Sequence, residues 1–312
     1  MASKKQKPVA ATALWGIDLG GTKIEGVVLE SAANPLILAR LRLPTEAVKG
    51  YQHILGQIRL VIEQLQAEVG FAPLEIGVGT PGTRDPNSGL QKNSNTICLN
   101  GHDLQADLSS ILGVPTKLAN DANCFALAED RMGIVPDVVP NAKLTFGIIM
   151  GTGVGGGLVM NGQVWNGGHG IGGEWGHNFL DESGGPCYCG LTGCIETVIS
   201  GPSLERYYRE LSGKAKSLAN IVKDHEAGHD RIATKTVERL LVNFGKAVAS
   251  LVNILDPDAL VIGGGVGNID LLYTEGPKYI VQYLFNNEFN TPLLKPKLGD
   301  SAGVFGAAYL VG

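Results

Sequence analysis

The sequence has no uninterrupted apolar segment reaching the roughly 18 to 20 residues that a membrane span needs, so a bilayer-crossing helix is not expected. It has no excess of positive charge: the formal net charge is −5, and the basic residues cluster only at Lys4, Lys5 and Lys7. Nucleic acid is therefore not an expected partner. The apolar run from Val9 to Ile17 leads into Asp18 and a Gly-Gly turn without a cleavage site, which reads as a strand rather than a signal peptide. The cytoplasm is the expected location. No GxxxxGK[ST] pattern occurs, so this is not a P-loop enzyme. Residues 151 to 156 spell GxGxxG, but Leu158 to Gly162 reads as strand and turn where a dinucleotide site needs a helix, which disfavours NAD. Cysteine is scarce, at five residues; Cys98 and Cys124 stand apart and read as small buried hydrophobes. Glycine is abundant: its 44 residues are about twice the usual share of roughly 7%, so many tight turns are required.

At 312 residues the chain has room for two domains, since single cores stop growing at roughly 250 to 300 residues. Residues 13 to 29 read as a hairpin around Gly20-Gly21-Thr22-Lys23. Extended segments near 36–43 and 74–79 flank an amphipathic helix from Tyr51 to Val69, with apolar residues at 54, 55, 58, 61, 62 and 65. A loop runs from Thr80 to Gly101, followed by a helix near 103–112, a strand at 115–119 and a helix opened by Asn120-Asp121-Ala122-Asn123. Strands are expected at Leu144 to Met150 and Gly156 to Met160, joined by Gly151-Thr152-Gly153. Helices follow near 203–212, 216–224 and 234–255, then a strand from Ala259 to Ile262 ending in Gly263-Gly264-Gly265. A helix near 269–285, a strand around 293–297 and a closing helix from Ala302 complete the chain. Trp15-Gly-Ile-Asp-Leu-Gly-Gly and Phe146-Gly-Ile-Ile-Met-Gly-Thr share one pattern, which suggests two lobes built from one ancestral unit. The whole reads as an α/β protein of two lobes, with ligands at the carboxyl ends of strands.

The densest chemistry lies between Glu174 and Glu196. His177, Cys187, Cys189 and Cys194 offer one imidazole and three thiolates, a set that fills the tetrahedral shell of zinc and leaves no open position, so the metal is expected to be structural. A disulfide within the trio is disfavoured, because nothing else points to an oxidising compartment. Glu174 and Glu196 bracket the cluster; they read equally as a clamp aimed at a polyhydroxylated substrate or as two solvated glutamates on a stapled loop. Gly20-Gly21-Thr22-Lys23 and Gly151-Thr152-Gly153 present the N–H groups and hydroxyls of an anion nest, although each alone reads more readily as a plain hairpin turn. Together with Gly263 and Gly264 as a seat for a nucleoside, they favour ATP. Asp121 reads as a general base or as a helix N-cap, and Asp18 as an anchor for hydrated Mg²⁺. His225-Glu226-Ala227-Gly228-His229 matches HExxH, but without apolar periodicity it reads as a solvated inter-helix loop.

Gly16-Ile-Asp-Leu-Gly-Gly-Thr-Lys23, Gly79-Thr-Pro-Gly82, Leu118-Ala-Asn-Asp-Ala-Asn123, Gly151-Thr-Gly-Val-Gly-Gly-Gly157, Gly173-Glu-Trp-Gly-His177, Cys187-x-Cys-Gly-x-x-Gly-Cys-x-Glu196 and Asp256-Pro-Asp-x-x-Val-Ile-Gly-Gly-Gly265 together resemble the ROK family of sugar kinases, collinearly over essentially the whole chain. The resemblance implies a two-lobed actin-like fold, with a smaller lobe of 11–121 plus 299–312 and a larger one of 122–298. It implies MgATP as phosphoryl donor, a structural zinc, a hexose phosphorylated at its 6-hydroxyl, and a homodimer. Carried onto this sequence, Asp121 becomes the catalytic base; Thr80, Gly82, Asn95, Asn120, Glu174, His177 and Glu196 become sugar contacts; and Asp18, Gly20, Gly21, Thr22, Lys23, Gly151, Thr152, Gly153, Gly263 and Gly264 hold the nucleotide. Lys92 to Gly101, Glu174 to Asn178, Pro186 to Gly190 and Ile195 to Gly201 look most like bacterial fructokinase/mannokinase members, so fructose or mannose is the expected sugar, ahead of glucose and N-acetylglucosamine. Phe305 departs from the basic residue often found there in the family. The alternative from another class is a non-catalytic sugar-sensing regulator; a first strand near residue 13 leaves no room for a helix-turn-helix ahead of it.

Overall fold

The computed structural model describes residues 9–312; Lys4, Lys5 and Lys7 lie outside the described residues. The chain opens with a meander of β1 (Leu14–Leu19), β2 (Lys23–Leu29) and β3 (Ile37–Pro44), paired antiparallel, β1 and β2 in register from Leu14↔Leu29 to Leu19↔Ile24. α1 (Tyr51–Val69) buries Ile54, Leu55, Ile58, Val61, Ile62 and Leu65, the stripe its 3.6-residue period dictates, and stops at Gly70, whose φ of +78° suits a residue without a Cβ. Next come β4 (Ile76–Thr80), the small hairpin of β5 (Thr83–Arg84) and β6 (Gln91–Lys92), α2 (Leu104–Leu112), β7 (Thr116–Asn120), α3 (Asp121–Arg131) and α4 (Val135–Val138). β4 runs parallel to β1 and to β7, which gives the sheet order β3-β2-β1-β4-β7.

The second half repeats this plan. β8 (Leu144–Met150), β9 (Val154–Met160) and β10 (Gln163–Val164) precede α5 (Ile195–Ile199), α6 (Gly201–Ser212), α7 (Leu218–Glu226) and α8 (Arg231–Leu255). β11 (Ala259–Gly263), α9 (Gly264–Gly267), α10 (Leu271–Thr274), α11 (Gly276–Val281), β12 (Leu293–Leu294) and α12 (Ala302–Tyr309) follow. The order is β10-β9-β8-β11-β12, with β11 parallel to β8 and β12 and β10 antiparallel to β9. An α/β fold with a duplicated sheet is thus what the strand-and-glycine-turn pattern encodes.

The chain divides into two compact units: Met1–Pro136 with Gly157–Gly172 and Lys297–Gly312, and Asp137–Gly156 with Gly173–Pro296. The division after Pro136 leaves α3 with the first unit, whereas the sequence reading placed residues from 122 in the other lobe. The reason is α12. At Gly306 an added Cβ would overlap the carbonyl oxygen of Cys124 on α3, and at Gly16 and Gly77 it would overlap the backbone of α12, so this small-residue helix lies hard against both α3 and the sheet. Phe305 is buried, and the basic group against its ring comes from Arg40, 5.7 Å from the centroid.

Five local expectations change. The helix expected near 269–285 is two short ones, because Pro277 lacks the N–H a continuous helix would need across Glu275–Gly276. The 80–101 loop contains the β5–β6 hairpin, the strand near 293–297 shrinks to two residues, and Cys98 is only half-buried, its thiol 3.8 Å from the Ala47 carbonyl. His225 and Glu226 form the last turn of α7 rather than loop; the His225 ring meets Thr234 Oγ1 at 3.2 Å. Among the described residues no helix is long and apolar enough to cross a membrane.

Candidate functional site

In the first unit, the carboxyl ends of β1, β4 and β7 carry the expected residues. β7 ends at Asn120, whose side-chain oxygen accepts the Asn123 N–H at 2.8 Å and so caps α3. The cap is therefore Asn120 and not Asp121. Asp121 occupies the first helical position, where its Oδ1 accepts the Ala122 N–H at 2.8 Å. The residue as a whole is exposed, but desolvation of its carboxyl raises the pKa, against the lowering effect of the Ala122 N–H and its own. Asp18, near the end of β1, is raised to about 6, first by burial, then by the negative charges of Asp121 and Glu25, with Lys23 and Arg42 opposing. Asp18 and Asp121 thus form an interacting pair. Room for the Asp18 carboxylate is made by Gly303, where a Cβ would come within 3.1 Å of it, and by Gly79.

Other predicted residues of this unit take definite places. Thr80 is buried and its Oγ1 accepts Gln91 Nε2–H at 3.1 Å. Gly82 has φ +78° and a Cβ there would collide with the backbone of Ser94, so the turn needs glycine. Asn95 is exposed on the same loop. The Gly20-Gly21-Thr22-Lys23 turn is closed by a Gly20 N–H bond to the Lys23 carbonyl, 2.9 Å, and tied to Thr45, whose hydroxyl reaches the Gly20 carbonyl at 2.6 Å. Lys23 lies 3.9 Å from the fully buried Glu25, which Arg40 and Arg42 hold at 2.5 and 2.9 Å.

In the second unit the parallel strands β8 and β11 end side by side. Gly151 bonds through its N–H to the Gly153 carbonyl at 2.9 Å and accepts the Gly201 N–H at 2.8 Å, while Thr152 stays exposed. Gly263 caps α9, and Gly264 has φ +84° with its Cβ position filled by the Met150 backbone. A cavity of about 740 Å³ opens between these turns and α6, α7 and α9, with Pro202, Leu218, Val222, Val266 and Ile269 as apolar wall and Glu205, Asn268 and Asp270 as polar groups. Sequence reasoning found its glycine rim but missed the rest; the Gly265-Val-Gly-Asn268 run behind β11 was the available signal.

The thiol-imidazole cluster converges as its spacing predicts, the four ligand atoms lying within 4.8 Å of one another. Cys187 Sγ is 3.6 Å from His177 Nδ1, and Cys189 Sγ is 3.7 Å from Cys194 Sγ. A tetrahedron with zinc–sulfur bonds of about 2.3 Å and zinc–nitrogen bonds of about 2.0 Å has edges of about 3.5 to 3.8 Å, so these donors fit that ion. No disulfide forms. Beside the cluster, Glu196 Oε2 accepts the Val154 N–H at 2.9 Å, and Glu174 Oε2 lies 4.0 Å from His177 Nε2. A Cβ at Gly153 would press on Glu196 Oε2 at 2.6 Å, so the glycine turn and the carboxylate fit together.

The comparisons with known proteins agree with this arrangement. The model of the ROK family matches residues 14–312. An N-acetyl-D-glucosamine kinase of Aliivibrio salmonicida (strain LFI1238) is 35% identical over 307 residues, covering 95% of this chain and 98% of its own. One from Pasteurella multocida (strain Pm70) is also 35% identical, over 311 residues, with the same coverage. Among solved structures, the ROK hexokinase from Thermus thermophilus superposes with a TM-score of 0.85 at 32% identity, covering 96% of this chain and 97% of its own. A ROK family glucokinase from Streptomyces griseus, in complex with glucose and AMPPNP, gives 0.72 at 25% identity, covering 96% and 98%. A match along nearly the full length, and a thiol-imidazole cluster and glycine turns at the places the family motifs mark, leave one assignment: the chain belongs to the ROK family.

Proposed function

We propose that this protein is an ATP-dependent hexose kinase that transfers the γ-phosphate to the 6-hydroxyl of N-acetyl-D-glucosamine. What carries the choice of sugar is the end-to-end similarity to N-acetyl-D-glucosamine kinases, at 33 to 35% identity over 95% of the chain. The expectation of fructose or mannose rested on short motif matches, and none of these relatives is named for either sugar, so the ranking is revised.

In this reading Asp121 accepts the proton of the attacking hydroxyl. A carboxylate released from capping by Asn120, with its pKa raised by burial, is better suited to take a proton than an ordinary surface aspartate. Asn120, Glu174, His177 and Glu196 are assigned to the sugar, with Thr80, Gly82 and Asn95 shaping the loop beside Asn120. The two glycine turns take the phosphates through backbone N–H groups, and the 740 Å³ cavity takes the nucleoside. Asp18 would hold a hydrated Mg²⁺, which neutralises charge on the transferring phosphoryl group. Zinc at His177, Cys187, Cys189 and Cys194 would be structural.

A coupled ADP-release assay with MgATP and a hexose panel tests this directly. The expected result is the highest kcat/KM with N-acetyl-D-glucosamine, and a loss of about 10² to 10⁴ in kcat for Asp121→Asn with sugar affinity retained. Preference for fructose would reverse the choice of sugar; turnover with no hexose would remove the kinase reading.

A further inference from the structure

The imidazole of His177 has two edges with different partners. Nδ1 faces the thiols, 3.6 Å from Cys187 Sγ, and a metal bound through that lone pair would leave the ring proton on Nε2. Nε2 is the edge then left for the sugar that the proposed function assigns to His177, and it meets the hydroxyl of Tyr188 at 3.0 Å, with the two rings edge to face at 5.1 Å. One N–H has one good in-plane acceptor at a time. A sugar hydroxyl and the Tyr188 hydroxyl therefore compete for the same donor.

Tyr188 is built to yield. It sits between the ligands Cys187 and Cys189, in a turn closed by the Gly190 N–H to the Cys187 carbonyl at 3.0 Å and by the Cys187 N–H to the Leu191 carbonyl at 2.8 Å. Its backbone is fixed by both neighbours, while the residue itself is 82% exposed. Rotation about χ1 would withdraw the phenol into solvent without moving a metal ligand. Glu174 Oε2 lies 4.0 Å from the same His177 Nε2, so the phenol hydroxyl and that carboxylate share one donor edge.

We propose that Tyr188 is a specificity-determining gate of the acceptor site: its hydroxyl stands in for a sugar hydroxyl on His177 Nε2 and must be displaced for the sugar to bind. The inference rests on the reading of this site as a sugar site. It sets a threshold that an acceptor must pass, because only a ligand offering a hydroxyl at that edge, together with contacts to the two glutamates, replaces what the phenol supplied.

Tyr188→Phe keeps the ring and its packing on His177 and removes only the competing oxygen. In the zinc-loaded protein, the Kd of N-acetyl-D-glucosamine by titration calorimetry is expected to fall about threefold to tenfold, the range one neutral hydrogen bond spans. KM should fall in parallel and kcat should stay unchanged. Unchanged affinity in Tyr188→Phe, or weaker affinity, overturns the gate; weaker binding would mean that the phenol holds the sugar. A wild-type protein that binds no hexose of the panel overturns the sugar-site reading itself, and the gate with it.

Discussion

The two sheets share one strand order, and their central strands β1 and β8 carry the same pattern at the same depth. Trp15, Gly16, Ile17 and Leu19 match Phe146, Gly147, Ile148 and Met150, all buried, and in both strands the remaining position is half-buried. In β8 that position is Ile149. In β1 it is Asp18, whose carboxyl is held at a pKa of about 6 chiefly by its own burial. The architecture is satisfied by an apolar side chain there, so the acid is not required by the fold. A duplicated strand thereby separates what the sheet needs from what the chemistry needs. The two units also hold their polar groups differently. Asp18 and Asp121 are placed by close packing at glycines, with Gly79 and Gly303 leaving room for the Asp18 carboxylate and Gly306 lying against the Cys124 backbone of α3, whereas Glu174 and Glu196 are placed beside the thiol-imidazole cluster.

Packing without slack should be the least forgiving means of placement. Gly306→Val would drive its side chain into the Cys124 carbonyl and is expected to cost about 3 kcal/mol or more, since α3 and α12 must part to admit it. Thermal melts should show the largest loss of any substitution considered, together with loss of hydrogen-exchange protection in α3 and α12. A Gly306→Val protein with wild-type Tm would break the contrast between the units. Cys189→Ser addresses the other unit. Loss of one ligand should abolish stoichiometric zinc and weaken sugar binding about tenfold, the low end of what disturbing a metal site costs, while exchange protection in β1, β2 and α3 is kept. Equal affinity in the metal-free variant would mean that the loop needs no metal to hold its carboxylates.

How much of this was legible beforehand follows the range of the forces involved. The β1–β2 hairpin, α1 and α8 are written in local periodicity, and the convergence of His177, Cys187, Cys189 and Cys194 in their spacing over 18 residues, so both could be read directly. Contacts between distant segments could not. Nothing near Gly306 in sequence signals Cys124, and nothing near Pro202 signals Ile269 across the cavity. The identity of the α3 cap was ambiguous for a different reason: Asn120 and Asp121 are both good caps, and only backbone conformation, extended at Asn120, decides which side chain turns back on the helix. Choice of sugar depends on a few hydroxyl contacts, and here short motifs pointed to fructose or mannose while the full-length relatives point elsewhere.

The smallest expected effect tests the strand comparison itself. If β1 needs no charge at Asp18, then Asp18→Asn should stabilise the protein, and pH should reveal why. A carboxyl raised from 3.8 to about 6 binds its proton more tightly in the folded than in the unfolded chain. Its favourable contribution is therefore complete below about pH 4 and is lost as pH rises through 6. In buffer without divalent cations, the Tm of Asp18→Asn should equal that of the wild type near pH 4, exceed it increasingly between pH 4 and 6, and stay higher above. The gain at the plateau should be about 1 kcal/mol, because part of the cost of burying the charge is screened by solvent at this half-buried site. A pH-independent difference would trace the effect to packing rather than charge, and a destabilised variant would show that the first sheet, unlike the second, relies on the acid.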